Sequence, residues 1–281
     1  MKRKTIWTGC VALVTGLVVI GAFGAMAAGL TGDEILQKVD AVASSISEGS
    51  LISVVQFENV YADGTSASNV FAGIGKKDKG KPEESLIYFK EPADVAGTIF
   101  LSVKPQGKDA RMWLYLPALG MTKEIVAKQQ KQSFAGSTFS YKDMGNRSYA
   151  DKYSAKLVGE ETLTIGDEQR VCYVLDLTAR PGADADAPTS KAWVDKESFL
   201  MLKSEDFNAS GKMERTMDVL SLTKFEGHLL AGKMLATNVV DKSSTTITFI
   251  KRQRPKNEIP DSVFNPENLA MFDPATYDLQ N

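Results

Sequence analysis

Residues 51–75 read LISVVQFENVYADGTSASNVFAGIG, two largely apolar runs on either side of a short polar turn. Its first part, 51–61, is rich in branched and aromatic side chains, which suit a pleated and partly buried surface. Ala62-Asp63-Gly64-Thr65 follows, and Asp-Gly between two such runs signals a hairpin, so 66–75 is the returning strand. The same rhythm continues along the chain. Strands are expected at 85–90, 98–104, 111–116, 153–163, 170–179, 191–195, 201–208, 215–225, 229–241 and 245–252. Turn signals at 105–108, 166–167, 208–211 and Gly227 divide them at intervals of roughly ten residues, a spacing that favours one antiparallel meander over alternating βαβ units.

Alternation describes the faces of these strands. Val171, Tyr173, Leu175 and Leu177 share one side and Cys172, Val174, Asp176 and Thr178 the other, which predicts a sheet with two unlike faces. Ile99-Phe100-Leu101 and Trp113-Leu114-Tyr115-Leu116 are apolar on both sides, as in a sheet covered outside and inside. One long helix cannot coat a flat sheet of about a dozen strands, so twist should curl it. Two architectures fit: a two-layer sandwich whose faces pack together, and a curled sheet around a ligand cavity.

The helix lies ahead of the strands. Thr31 followed by Glu34 is a capping box, and Ile35, Val39, Val42 and Ile46 recur at helical spacing. Asp33 and Glu34 complement the dipole in the first turn, and Gly49 supplies a stop. Further upstream, Lys2, Arg3 and Lys4, an apolar run over 6–23 and Ala25-Met26-Ala27 read as a signal peptide, 1–27, leaving 28–281 as a single domain. The run is also close to a membrane-spanning length, so an uncleaved anchor is the alternative. Cys10 precedes most of the apolar run, which excludes it as the acylated first residue of a lipoprotein.

Composition narrows the function. With 281 residues, 43% of them hydrophobic and 24% charged, the chain is globular. A net charge of −2 argues against nucleic acid, which needs clustered basic residues to displace counterions. No enzyme is expected: His228 is the sole histidine, placed in a turn, and no G-x-S-x-G elbow presents a serine. Glu160 and Glu161 point to opposite faces of a strand and cannot act together on one bond. No cofactor or metal is expected, since Cys172 and His228 leave too few soft ligands, and Asp184-Ala185-Asp186 reads as a flexible acidic turn rather than a calcium loop. Gly73-Ile74-Gly75-Lys76-Lys77 lacks the spacing of a phosphate loop and reads as a turn, with Lys76, Lys77, Lys79 and Lys81 forming a solubilising loop; contact with lipid headgroups or a partner is the alternative for these lysines.

One segment breaks the strand rhythm, 117–146, in which Phe134, Phe139, Tyr141 and Met144 argue against disorder. It reads as a lid, with Ser137 capping a short helix through Met144; the alternative is a loop whose aromatics plug a minor core. Met112-Trp113-Leu114-Tyr115-Leu116-Pro117-Ala118-Leu119-Gly120, followed by Ser133-Phe134-Ala135-Gly136-Ser137-Thr138-Phe139-Ser140-Tyr141-Lys142-Asp143, resembles the LolA-like outer-membrane lipoprotein-sorting proteins of bacteria. That resemblance implies an incomplete antiparallel β-barrel, here of about 11 strands, with an N-terminal helix and a helical or loop lid over a hydrophobic cavity. It implies a periplasmic carrier of acylated lipoprotein or lipid cargo, working between an inner-membrane exporter, the RND type included, and an outer-membrane acceptor. Trp113, Tyr115, Met121, Phe134, Phe139 and Tyr141 are the candidates for lining the mouth and lid, with core packing as the alternative for Trp113 and Tyr115. A lipid-sensing or scaffold protein acting on a protein partner is the second reading.

Overall fold

In the computed structural model, which describes residues 29–145 and 148–279, the capping box at Thr31 starts helix α1 (Gly32–Ser47) as the sequence predicts. The expected leader, 1–27, falls outside the described residues. Ile35, Leu36 and Val39 are buried, whereas Val42 and Ile46 at the far end are only half-buried. Side chains hold the helix along its length. Asp33 accepts from the Ala155 backbone N–H at 2.9 Å, and Asp40 accepts from Ser148 Oγ and from the Tyr149 and Ala150 amides at 2.8–3.0 Å. No basic residue lies in the last turn, so Arg254 supplies the missing donors from elsewhere in the chain. It donates to the carbonyls of Ile46, Glu48 and Ser50 while its fork is paired with Glu226.

Thirteen strands follow, against an expectation of about eleven: β1 (Gly49–Val60), β2 (Ser66–Lys77), β3 (Glu83–Glu91), β4 (Ile99–Lys104), β5 (Arg111–Leu116), β6 (Met121–Glu124), β7 (Tyr153–Ile165), β8 (Glu168–Ala179), β9 (Thr189–Asp195), β10 (Met201–Phe207), β11 (Met213–Phe225), β12 (His228–Asn238) and β13 (Ser243–Gln253). All pair antiparallel in one sheet of order β6-β5-β4-β3-β2-β1-β13-β12-β11-β10-β9-β8-β7. A single continuous sheet excludes the two-sheet sandwich. Because β13 returns beside β1, the two open edges are β6 and β7, which are also consecutive in the chain. The segment between them, with the short helices α2 (Ala127–Gln130) and α3 (Tyr149–Lys152), therefore has to travel from one edge of the sheet to the other. That task is why the strand rhythm fails there.

Burial of β8 corrects one expectation. Cys172, Val174, Leu175 and Leu177 are all buried and Val171 is 47% exposed, so the strand has no single apolar side. Its partner β7 slips register between Leu157 and Gly159, opposite the point where the burial changes parity. The Cys172 thiol is pushed up to about 11 by burial, and it behaves as a small hydrophobe.

Outside the β1–β5 half of the sheet lies the carboxyl-terminal tail, three short 3₁₀ turns at Asp261–Phe264, Pro266–Met271 and Pro274–Tyr277. Ile259, Val263, Phe264, Leu269 and Leu279 pack on Ile52, Val54, Ile74, Leu86, Ile99, Leu101 and Trp113. Lys76 fastens this cover. It is 5% exposed, and its ammonium donates to the Ile259 carbonyl at 2.7 Å and to Asp261, so the expectation of a solubilising residue fails for Lys76. An ammonium leaves water only where carbonyl and carboxylate acceptors replace the lost hydration.

A second buried charge sits in the other half. Asp195 is 1% exposed and accepts two bonds from the Arg170 guanidinium, at 2.9 and 2.7 Å, plus the Ser198 amide and hydroxyl at 2.8 and 2.6 Å. Burial pushes its carboxyl up, but the bonds from Arg170 and Ser198 outweigh that and hold it below the usual carboxylate range. A carboxyl lowered by folding stabilises above its unfolded value and loses that contribution as pH falls through the folded one. Asp195→Asn is expected to cost about 2–3 kcal/mol at neutral pH. The gap in melting temperature between wild type and variant should shrink as pH falls from about 5 to 3; a gap independent of pH would contradict this account.

Candidate functional site

The inner face of β1–β5 is graded along the strands, and the register shows how. At the rim, Lys77 stands opposite Glu83 and Glu83 opposite Lys104. One step inward the row is Leu51, Gly75, Ser85, Ser102 and Met112. The next is Ser53, Gly73, Ile87, Phe100 and Leu114, and beyond it come Val55, Phe71 and Phe89. Charge at the rim gives way to small side chains and then to large apolar ones.

The small residues leave space. A cavity of about 300 Å³ lies over them, lined by Leu51, Ser53, Val55, Phe57, Phe71, Gly73, Gly75, Ser85, Ile87 and Ser102, with Ser47 of α1 on one side and Phe134, Met144 and Gly145 on another. Gly73 and Gly75 are not in a turn, as the sequence reading expects, because β2 continues to Lys77 and both face this cavity. Glycine within a strand marks a bulge, a bend or the close approach of another group. A Cβ on Gly75 would meet nothing within 4 Å. The hollow exists because that side chain is missing.

The segment between β6 and β7 contributes the cavity's wall in an unexpected shape. Ser137 caps no helix: its hydroxyl donates to the Phe134 carbonyl at 2.7 Å, Ser133 bridges Ser140, and only Lys142–Met144 turn, as 3₁₀. Ala135 and Gly136 both have positive φ, and a Cβ on Gly136 would come within 2.9 Å of the Tyr61 hydroxyl, so the tight reversal requires glycine there. The reversal drives Phe134 into the sheet. It is fully buried, with ring centroids 5.3 Å from Phe71, 5.4 Å from Phe89 and 5.7 Å from both Phe100 and Tyr141. Phe139 is 4% exposed, 5.8 Å from Phe57, and lies beneath the Arg215 guanidinium. Tyr141 is half-buried, and burial pushes its phenol up.

A chain of hydrogen bonds secures the loop. The Thr138 amide donates to Thr245 Oγ1 at 2.9 Å, Thr245 donates to Asn59 at 2.8 Å, and Asn59 donates to Asn69 at 3.3 Å. Asp143 pairs with Arg215. The segment is thus a plug that fills the far end of the inner face, and Phe134 and Met144 bound the cavity.

Of the six residues proposed to line the site, Phe134, Phe139 and Tyr141 come together on the inner face. Trp113 and Tyr115 do not. Alternation along β5 turns them to the outer face, where they pack with the tail, while Met112 and Leu114 face inward. Met121 is 48% exposed on β6 and belongs to neither cluster. Glycine and serine at positions 73, 75, 53, 85 and 102 are the lining residues that sequence reading misses.

The remaining sequence candidates are accounted for by ordinary contacts. His228 opens β12, half-buried beside Glu226 and Arg254. Lys142 lies between Asp184, at 2.7 Å, and Asp186, at 3.4 Å, filling the place a cation would take. Glu160 pairs with Lys196, and Glu161 accepts from the Trp193 indole at 2.7 Å. Among the described residues no group of three or more His, Cys, Asp or Glu side chains is arranged to hold a metal, and no helix is long and apolar enough to cross a membrane.

The fold has close counterparts. A DUF1329 family protein from Desulfovibrio piger superposes with a TM-score of 0.75 at 25% identity, covering 85% of this chain and 97% of its own. An outer membrane lipoprotein-sorting protein domain from Vibrio parahaemolyticus gives 0.72 at 23% identity, covering 85% and 98%. A LolA superfamily protein from Nitrosomonas europaea gives 0.62 at 18% identity, covering 84% and 98%. No curated protein sequence matches. A family model described as "Uncharacterized protein" matches residues 81–271, and the chain belongs to that family.

Proposed function

We propose that the protein is a periplasmic carrier that takes an acyl chain of a lipoprotein or lipid into the inner-face cavity and passes it towards the outer membrane. The supporting observation is the cavity, floored by Gly73, Gly75, Ser53, Ser85 and Ser102 and closed at its inner end by phenylalanines. From Lys77 to Phe71 is six residues of strand, about 20 Å at ~3.3 Å per residue. One leaflet of a bilayer's hydrocarbon core is about 15 Å deep, half of ~30 Å. The trough is therefore long enough for one lipid tail. Its volume of about 300 Å³ lies at the small end of ligand pockets, which suits one chain and leaves no room for several while Phe134 is seated.

Burial drives capture. At about 0.8 kcal/mol per methylene, a sixteen-carbon chain gains on the order of 10 kcal/mol before ordering costs. Release then requires an acceptor that binds the chain better or favours an opened state, because a carrier alone cannot drive net transfer. An inner-membrane exporter, RND type included, is the donor in this reading and an outer-membrane protein the acceptor.

Two measurements test the proposal. Mass spectrometry of organic extracts should find acyl-bearing species at near one per protein, and the protein should speed movement of a labelled fatty acid between donor and acceptor vesicles. Binding without acceleration would favour the lipid-sensing or scaffold reading, and absence of bound lipid together with no acceleration would end both.

A further inference from the structure

Next to the apolar trough is a second cavity of about 380 Å³, and the two share Lys77, Glu83 and Lys104 as a common wall. Its other sides come from the β2–β3 hairpin, the turn after β4 and the end of α1. Whatever tail lies in the trough would emerge into this vestibule, so the vestibule's charges select the group attached to the tail.

Those charges do not cancel. Lys77 is paired with Glu83, and Lys81 with Asp78 and Asp261. Lys79 and Lys104 have no carboxylate partner among the described residues, while Glu48 is the one lining carboxylate without a cation. Lys104 is half-buried and stands one row beyond Ser102, in register with Glu83 at the mouth of the trough. An ammonium there is only partly hydrated, and an anion reaching it would meet weaker screening than at an open surface.

Building on the carrier reading above, we propose that the cargo is an amphiphile whose chain enters the trough while an anionic head, a carboxylate or a phosphate, is held in the vestibule by Lys104 and Lys79. Glu48, at the end of α1, disfavours a second negative charge on the far side of the head. The arrangement sets orientation: tail end against Phe71 and Phe134, head towards solvent and a docking membrane.

Four probes with one twelve-carbon chain separate tail from head: laurate, dodecyl phosphate, dodecanol and dodecyltrimethylammonium, each measured by displacement of a fluorescent fatty acid from the full chain. Laurate and dodecyl phosphate are expected to bind about tenfold tighter than dodecanol, and dodecyltrimethylammonium more weakly than dodecanol. Lys104→Gln and Lys79→Gln should remove most of that advantage with dodecanol affinity and melting temperature unchanged, and the advantage should fade at high salt. Inorganic phosphate alone should not displace the probe at concentrations where dodecyl phosphate does; displacement by phosphate would make the vestibule a free-anion site and overturn the assignment of a lipid head. Equal affinity of dodecanol and the anions in wild type, or an equal loss for all four probes in the lysine variants, would overturn the head-group proposal while leaving the carrier reading intact. Failure of every probe, dodecanol included, would instead remove the trough as a lipid site.

Discussion

Phe134→Ala is expected to lower stability by about 3–5 kcal/mol, the usual cost of emptying a large aromatic site in a packed core. The ring is fully buried and lies within 5.7 Å, centroid to centroid, of Phe71, Phe89, Phe100 and Tyr141. For a sheet of this size the loss corresponds to a fall in melting temperature of about 10 °C. Phe134→Asp should be worse, since it strands a carboxylate among aromatic rings. These outcomes separate plug from lid. A mobile lid could lose Phe134 with little effect on the melting temperature, and such a result would contradict the packed arrangement. Because one face of Phe134 also bounds the cavity, the alanine variant should join the vacated volume to the trough. It is expected to tolerate longer or branched tails relative to wild type, although it is less stable.

The strand pattern is largely legible in the sequence, and the reasons for the misses are specific. β5, expected at 111–116, forms at Arg111–Leu116, and the Asp63-Gly64 turn joins β1 to β2 with Gly64 at positive φ. Alternation in Trp113-Leu114-Tyr115-Leu116 separates the two faces of β5 correctly. It cannot say which face is the inner one, because the tail covers one side and Phe134 and its neighbours the other, and both kinds of cover want apolar partners. The tail itself carries no periodic pattern, only short proline-started turns, so its role as the outer layer emerges from packing alone. The plug is a consequence of topology. Its sequence shows that the segment between β6 and β7 is neither strand nor disordered, but where its aromatics go depends on which two edges it joins. Gly73 and Gly75 did leave a signal: two glycines at i and i+2 share one face of a strand, and a missing row of side chains on one face is the signature of a groove. Read as punctuation, they suggest a turn; read by strand period, they mark the cavity.

Gly75→Leu should therefore weaken acyl-chain binding sharply while leaving the fold intact. The position lies inside β2 with an ordinary strand conformation, and a Cβ placed there meets no atom within 4 Å, so the substitution strains nothing. Exchanging glycine for a larger residue in a strand removes backbone freedom from the unfolded chain, which favours folding by about 0.4–1 kcal/mol. The new side chain can only extend into the trough, where its four carbons occupy the width that a lipid tail needs between Leu51 and Ser85. Affinity for a twelve-carbon fatty acid is expected to fall by at least about tenfold, equivalent to losing burial of roughly two methylenes, with the melting temperature equal to or above that of wild type. Gly64→Leu is the matched control: that glycine sits at positive φ in an exposed hairpin, so the change should cost stability and spare binding. If the Gly75 variant binds the fatty acid as wild type does, the trough is not where the chain goes. Loss of binding in a variant that melts no lower assigns the missing side chain at Gly75 its purpose, to keep a path open through an otherwise packed sheet.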